Sequence, residues 1–208
     1  MKKVFISLIM AVAVLTLGGV FASGVNGDLS DNLIRLHVIA NSDSSEDQAL
    51  KLKVRDAVIE TVAPLVSDSD NKALSKEILL AHREDIINAA KKVIAENGYD
   101  YDVTASYEKT YFPVKQYANV ILPSGEYDAL RVVIGAGKGK NWWCVMFPPL
   151  CLVNEATMKM DDKSLRLLKE KLTKEEYDII TSSDGSSLPV IMKFKIVDWY
   201  MELKQALK

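Results

Sequence analysis

The stretch LIRLHVIANSDSSED, residues 33–47, decides the fold, because it joins a strand pattern to the start of a helix. Residues 33–40 are apolar except for Arg35 and His37 at alternate positions, and this pattern predicts a strand. The polar cluster at 41–46 ends the strand and is typical of a helix start. Two capping pairs fit that start, namely Asp43 with Glu46 and Ser45 with Gln48.

An amphipathic helix follows this start. Apolar residues recur at helical spacing, with lysines and an arginine on the other side: Leu50, Val54, Ala57, Val58 and Val62. Pro64 lacks the N–H group that a helix interior uses, so we predict that the helix ends near it.

Farther along the chain, a second helical pattern covers residues 71–97, with a bend near His82. Gly98 is the expected stop signal for this helix. From residue 99 to 111 the apolar period changes to about two, which predicts a strand rich in Tyr, Val and Thr.

Residues 127–134 and 141–147 look like paired strands, and the Gly-rich loop at 135–140 predicts a hairpin between them. Two short helices (161–171 and 173–182), a strand (190–197) and a terminal helix (198–208) complete the pattern. Helices and strands come in blocks rather than in strict alternation. We therefore predict the α+β class, with an antiparallel or mixed sheet packed with amphipathic helices in a single domain over 33–208.

The first residues match the layout of a secretory signal peptide. Two lysines precede an apolar run that extends to about Leu17, and small residues then lead to a predicted cleavage site after Ala22. A retained membrane anchor is the alternative, since a spanning helix needs about 20 apolar residues and this segment just reaches that length. We expect a signal peptide over 1–22 and a flexible leader over 23–32.

Composition and residue pattern disfavour several kinds of function. The whole chain has a formal net charge of −2, and cleavage would remove two lysines and leave a mature chain with a charge of −4. A chain with this charge has no general affinity for nucleic acid. The two histidines, His37 and His82, belong to no metal-binding or catalytic motif, so we predict neither a metal site nor a cofactor. The loop at 135–140 departs from the Walker pattern and is more typical of a turn. The helix dipole is sufficient to explain the acidic residues near the first helix, Asp43, Glu46, Asp47 and Asp56.

The two cysteines, Cys144 and Cys151, lie seven positions apart around a Pro-Pro turn. An even number of cysteines in an exported chain favours a disulfide, and the turn would help to bring them together. A straight strand would instead separate them by about 23 Å, far beyond the limit of about 7 Å between bridged Cα atoms. A disulfide and two buried thiols both remain open, and a catalytic Cys144 requires an activating histidine.

The segment NWWCVMFPPLC, residues 141–151, is the most unusual in the chain. Adjacent residues of a strand face opposite sides of a sheet, so Trp142 and Trp143 are both buried only if both faces are covered. The segment is either a strand covered on both faces or a surface with an exposed indole, which is a common anchor in protein interfaces. On the second interpretation the predicted partner-binding residues are Trp142, Trp143, Phe147, Pro148 and Pro149.

Several of these motifs resemble the stage II sporulation protein R family. The resemblance rests on LHVIANSD (36–43), EDQ (46–48), LKVRD (52–56), PSGEYDALRV (123–132), the glycines Gly135, Gly137 and Gly139, and the segment 141–151. The last segment is the most specific. Together the motifs bracket residues 33–153, and the C-terminal third carries no such resemblance.

The resemblance implies a signalling role in endospore-forming bacteria and no catalytic residues. The protein would be made in the forespore and exported into the space between the forespore and mother-cell membranes. There it would activate a membrane-embedded aspartic protease, which cleaves the precursor of a mother-cell sigma factor. That protease is the expected partner, and neither a nucleic acid nor a small-molecule substrate is expected. The alternatives are a secreted hydrolase of cell-wall polymer, acting through Cys144 or paired carboxylates, and a binding module for a small ligand.

Overall fold

A sheet with helices packed on it forms the centre of the computed structural model, which describes residues 29–67, 69, 71–117, 120–148 and 162–181. The strands in these ranges are β1 (Ile34–Ile39), β2 (Val103–Phe112), β3 (Lys115–Tyr117), β4 (Val120–Leu122), β5 (Gly125–Ile134) and β6 (Asn141–Phe147). The helices are α1 (Ser45–Ser67), α2 (Lys72–Ala81), α3 (Arg83–Glu96), α4 (Asp162–Lys171) and α5 (Lys174–Thr181). The predicted α+β class is confirmed.

Four of the strands form one mixed sheet in the order β2–β5–β1–β6, and β3 pairs with β4 separately. β1 lies parallel to β5 and antiparallel to β6. The predicted hairpin of β5 with β6 is therefore wrong, because β1 lies between them. The physical reason is the loop at 135–140, which passes over the end of β1 and places β6 on the far side of that strand.

Alternate residues of β1 face two different cores. Ile34, Leu36 and Val38 belong to the first core, where α1, α2 and α3 cover the sheet. Arg35 and His37 point to the other face and contact aromatic residues of the second core. That core also contains Leu168 of α4, Ile180 of α5 and, between the two helices, Leu172. All six residues of β1 are buried, so this strand is covered on both faces.

Both ends of α1 differ from the prediction. The cap is Ser44, whose hydroxyl accepts a hydrogen bond from the Asp47 N–H at 3.1 Å. The helix also continues through Pro64 to Ser67. Pro64 removes only one hydrogen bond of the ladder, and the burial of Val66 in the first core stabilises the turn that follows.

The bend predicted within 71–97 is confirmed as a break at His82, where α2 ends and α3 begins. Asn71 caps α2 by accepting a hydrogen bond from the Leu74 N–H at 3.0 Å. Gly98 has a φ of +81° and ends α3, as predicted. α4 and α5 confirm the two predicted short helices.

Several predictions concern the ends of the chain. Residues 29–32, assigned to the flexible leader, form a helical turn, and Leu29 is buried in the second core. The predicted signal peptide at 1–22, strand at 190–197 and helix at 198–208 lie outside the described residues. Within the described ranges, no helix combines the length and apolar character needed to cross a bilayer.

Candidate functional site

A buried carboxylate organises the turn between β1 and α1. Asp47 is 5% exposed and lies in the first turn of α1. Its carboxylate accepts hydrogen bonds from Asn41 Nδ2 at 2.8 Å and from the Ser42 hydroxyl at 2.5 Å. These bonds satisfy the buried carboxylate and fix the polar residues that follow β1.

The surroundings of Asp47 favour its ionised form. The hydrogen bond from Ser42 holds the pKa of Asp47 below its ordinary value, with smaller contributions from Asn41 and Tyr101, and outweighs the opposing effect of burial. A general acid at neutral pH needs a raised pKa instead. Asp47 is therefore suited to stabilising the turn rather than to donating a proton.

The Gly-rich loop at 135–140 lies directly over this turn. Four of its main-chain N–H groups donate hydrogen bonds of 2.7–3.1 Å to the turn: Ala136 to Asn41 Oδ1, Lys138 to Asn41 O, Gly139 to Ala40 O and Lys140 to Asp43 Oδ1. A Cβ atom on Gly139 would overlap the Ser42 carbonyl oxygen, and one on Gly135 would overlap the Asn41 side chain. The glycines thus permit the main chains of the loop and of the turn after β1 to approach closely, and the N–H groups of the loop bind this turn.

Two cationic side chains of α1 are buried, Lys51 beside this loop and Arg55 beside β6. Lys51 Nζ donates to Gln48 Oε1 at 2.6 Å and to the Lys140 carbonyl at 3.1 Å. Burial lowers the pKa of Lys51, and the charge of Arg55 lowers it further. The Arg55 guanidinium carbon lies 4.3 Å from the centroid of the Trp142 ring, so β6 is tied to α1 by a cation–π contact.

Trp142 and Trp143 face opposite sides of β6, as predicted, and each is half-buried. Trp142 packs against the first core and Trp143 against the second. The Trp143 ring stacks on His37 with centroids 3.9 Å apart, and it meets Phe112 at 4.6 Å. Each indole therefore combines a packing role with partial exposure.

His37 is a packing residue on the second face of the sheet. It is 4% exposed, lies against Trp143 and contacts the edge of Phe112. Burial lowers the pKa of His37 to about 4, and the nearby Asn141 side chain offsets only part of this effect. The ring is therefore neutral at neutral pH.

We expect His37 to make the domain less stable in mild acid. Because the folded-state pKa of about 4 is below the ordinary 6.5, the unfolded chain takes up this proton first as the pH falls. The free energy of unfolding should therefore decrease by about 3 kcal/mol as the pH falls from 6.5 through about 4. Urea unfolding at several pH values measures this decrease. His37→Phe is the control, because phenylalanine keeps a ring and cannot titrate. Equal pH slopes in the two proteins would contradict the assignment.

The rest of the predicted partner-binding set is not available as a surface. Phe147 is 3% exposed and belongs to the first core, and Pro148 is also buried. Both are buried because β6 ends inside the domain. Pro149 lies outside the described residues. Trp142 and Trp143 are the described members of the set that retain exposed surface.

Cys144 is buried in the first core and is disulfide-bonded. Cys151, its predicted partner, lies outside the described residues, so the pairing of the two stays a prediction. Cys144 lies opposite Leu36 in the sheet and shares its face, which is the face opposite to His37. His37 is therefore not placed to activate a thiolate at Cys144.

The acidic residues near α1 have separate interaction partners. Glu46 is exposed, and hydrogen bonds from its own main chain and from Ser45 lower its pKa. Asp56 pairs with Arg55 at 2.7 Å. In the part of the chain that the structure describes, no group of three His, Cys, Asp or Glu side chains could hold a metal ion. His82 lies at the helix break, 2.8 Å from the carboxylate of Asp85.

Sequence reasoning assigned no role to Arg35, which is completely buried. Its Nε donates to the Cys144 carbonyl at 2.9 Å, and its guanidinium carbon lies 4.4 Å from the Phe112 ring centroid. The sequence signal for this burial is the run 33–40. Apart from Arg35 and His37, all of its residues are apolar, and they lie on both faces of the strand. Such a run predicts a strand with two covered faces.

Comparison with known proteins adds family information to this geometry. The family described as stage II sporulation protein R matches residues 30–157. A curated relative, stage II sporulation protein R of Bacillus subtilis (strain 168), is 34% identical over an alignment of 191 residues, which covers 84% of this chain and 83% of the relative. No solved structure matches the chain.

Proposed function

This chain belongs to the stage II sporulation protein R family, and on that premise we propose that it is an exported signal of sporulation. It acts between the forespore and mother-cell membranes, where it activates a membrane-embedded aspartic protease and so leads to processing of a mother-cell sigma-factor precursor. The observation that carries this proposal is the family match over residues 30–157, a range that contains every element from β1 to β6.

An activator of this kind acts only through a preference for the active state of its receptor over the inactive state. It therefore needs a well-defined surface more than a reactive group. The turn after β1 supports this mode of action, because Asp47 and the loop at 135–140 hold it with hydrogen bonds from both sides. A rigid turn loses little conformational entropy when it binds.

We place the receptor contact at the start of β6, where the partly exposed Trp142 and Trp143 follow the exposed Lys140 and Asn141. Half-buried indoles beside polar residues are typical of binding surfaces. Trp143 also packs on His37, so its replacement by alanine would remove core packing as well as surface. A loss of signalling in that variant would not by itself identify a contact.

Two observations disfavour the alternative, a cell-wall hydrolase. Cys144 is disulfide-bonded and faces away from His37, so a cysteine–histidine pair does not form. Asp47 and Glu46 both have a lowered pKa, whereas glycoside hydrolysis needs one carboxyl group with a raised pKa.

The proposal is tested by producing the full-length chain together with the receptor protease and the sigma-factor precursor in a host that contains none of them. We expect precursor cleavage on a gel only when all three proteins are present. A protease without its catalytic aspartates is the control for cleavage by host enzymes. Absence of cleavage, with all three proteins folded and correctly located, would contradict the proposed function.

A further inference from the structure

The described part of the domain begins with a helical turn at residues 29–32, and Leu33 follows it. Leu29 and Leu33 are both completely buried in the second core. The Leu33 N–H donates a hydrogen bond to the Leu29 carbonyl at 3.2 Å, which closes the turn. The folded core therefore includes Leu29, a residue that the sequence assigns to a flexible leader.

Lys72 of α2 holds the same turn at its main chain. The Lys72 ammonium group donates to the Ser30 carbonyl at 2.6 Å and pairs with the Asp128 carboxylate of β5 at 2.5 Å. The two charged side chains are only 18% and 25% exposed, so salt and solvent screen this pair less than one at the surface. One lysine thus joins the turn to a helix and to the sheet. Opening the turn would expose both leucines and break the bond from Lys72.

This turn lies close in the sequence to the predicted signal-peptide cleavage site. The predicted site follows Ala22, and the six residues 23–28 separate it from Leu29. Six residues span at most about 20 Å even when they are fully extended. While the turn is docked, the folded domain therefore lies within this distance of the peptide bond to be cut.

Such a short connection restricts the access of a membrane-bound signal peptidase. Recognition of an extended peptide uses several residues of its main chain, on both sides of the bond to be cut. A signal peptide also keeps that bond at the membrane surface, so the docked domain and the peptidase compete for the same space. Cutting therefore requires that the turn first opens.

The composition of the second core determines when the turn docks. The core that buries Leu29 also contains Leu168 of α4 and Ile180 of α5. These two residues leave the export channel long after Leu29, and contacts between distant parts of a chain are slow to form. The bond after Ala22 is therefore accessible during export and becomes covered once the second core has formed.

We propose that docking of the turn at 29–32 closes the cleavage site after Ala22, so that the chain is cut before its domain folds or remains anchored. The reaction is hydrolysis of the Ala22–Ser23 peptide bond, in which water adds its hydroxyl group to the Ala22 carbonyl carbon and a proton to the Ser23 nitrogen. A chain that is cut becomes a free signal, and a chain that folds first keeps its membrane anchor. This inference rests on the export that the proposed function requires, and it specifies when release of the signal is decided.

The test uses the uncut full-length chain, produced with the signal peptidase of the host inhibited, folded in detergent and then mixed with purified signal peptidase. One variant carries about ten Gly and Ser residues inserted after Gly27, which keeps the turn docked and moves the cut bond away from the domain. We expect the unmodified chain to be cut at least about tenfold more slowly than this variant. Equal rates for the two chains, or no cutting of the longer chain, would overturn the inference.

A pair of substitutions tests whether the turn itself is responsible. Leu29→Asp places a charge in the second core and opens the turn, whereas Leu74→Asp makes the same change at an exposed leucine of α2. We expect the Leu29 variant to be cut about tenfold faster than the unmodified chain and the Leu74 variant to stay within about twofold of it. A Leu29 variant that is cut as slowly as the unmodified chain contradicts the role of the turn. The insertion variant keeps Leu29, so it decides the question even if this substitution unfolds the domain.

These measurements need neither the receptor protease nor the sigma-factor precursor. A failure of the proposed function therefore appears as absence of precursor cleavage, whereas a failure of this inference appears in the rates at which the signal peptide is cut.

Discussion

Replacing Gly139 by alanine is expected to lower the free energy of unfolding by about 3 kcal/mol, because the loop lies too close to β1 to admit a side chain. A Cβ atom at this position would lie 2.6 Å from the Ser42 carbonyl carbon and 2.8 Å from the Ala40 Cβ. The Ser42 main chain cannot move aside easily, because the Gly139 N–H is bonded to the neighbouring Ala40 carbonyl at 2.9 Å. Urea unfolding followed by tryptophan fluorescence measures the change.

Gly98→Ala is the matched control for this substitution. Gly98 has a φ of +81°, so alanine is strained there, but no atom lies within 4 Å of the added Cβ. Strain alone costs about 1 kcal/mol. If both variants lose the same stability, close approach of the loop to β1 is not the reason that Gly139 is needed.

Replacing Asp47 by alanine is expected to cost about 3 kcal/mol, since it leaves the donors of Asn41 and Ser42 without their acceptor. Glu46→Ala is the matched control, because Glu46 is also acidic and in the first turn of α1 but is exposed. Because Glu46 is exposed, its loss should lower the free energy of unfolding far less than the loss of Asp47. A similar decrease in the free energy of unfolding for the two variants would show that the buried hydrogen bonds of Asp47 contribute little to stability.

The cost of losing Asp47 should also depend on pH. A folded-state pKa below the ordinary 3.8 means that the unfolded chain is protonated first in acid. The stability that Asp47 contributes is therefore complete above the ordinary pKa of 3.8, and it is lost as the pH falls through the lower folded-state pKa. The difference between the wild type and Asp47→Ala should be full at pH 7 and shrink in strong acid, below the window in which His37 titrates.

The elements that local patterns specify were predictable from the sequence. The strand at 33–40, the break at His82 and the stop at Gly98 each follow from a period change or from one residue with a special conformation. The end of α1 was not predictable in this way. Pro64 is a local stop signal, but the burial of Val66 against distant parts of the chain outweighs it.

The order of the strands required information that no local pattern contains. A Gly-rich loop between two strand patterns is typical of a hairpin. The close contact of Gly139 with Ser42, however, depends on a strand about 100 residues earlier in the chain, which a local pattern does not include. For the same reason the sequence pattern explains Asp47 only as an acidic residue that interacts favourably with the helix dipole. Its bonds to Asn41 and Ser42 exist only after the turn has folded, and the alternation of Trp142 and Trp143 was the part of the site that a strand pattern alone could specify.

The central position of β1 has a consequence for how the protein is made. A polypeptide leaves the ribosome, or an export channel, with its amino-terminal end first. β1 emerges before every other described strand, yet its two neighbours are β5 and β6, the last two strands of the described sheet. Long-range pairing of this kind is slow to form. The strand, with Ile34, Leu36 and Val38 on one apolar face, must therefore remain unpaired until residues up to about 147 have followed it. This topology therefore requires that the nascent chain be protected.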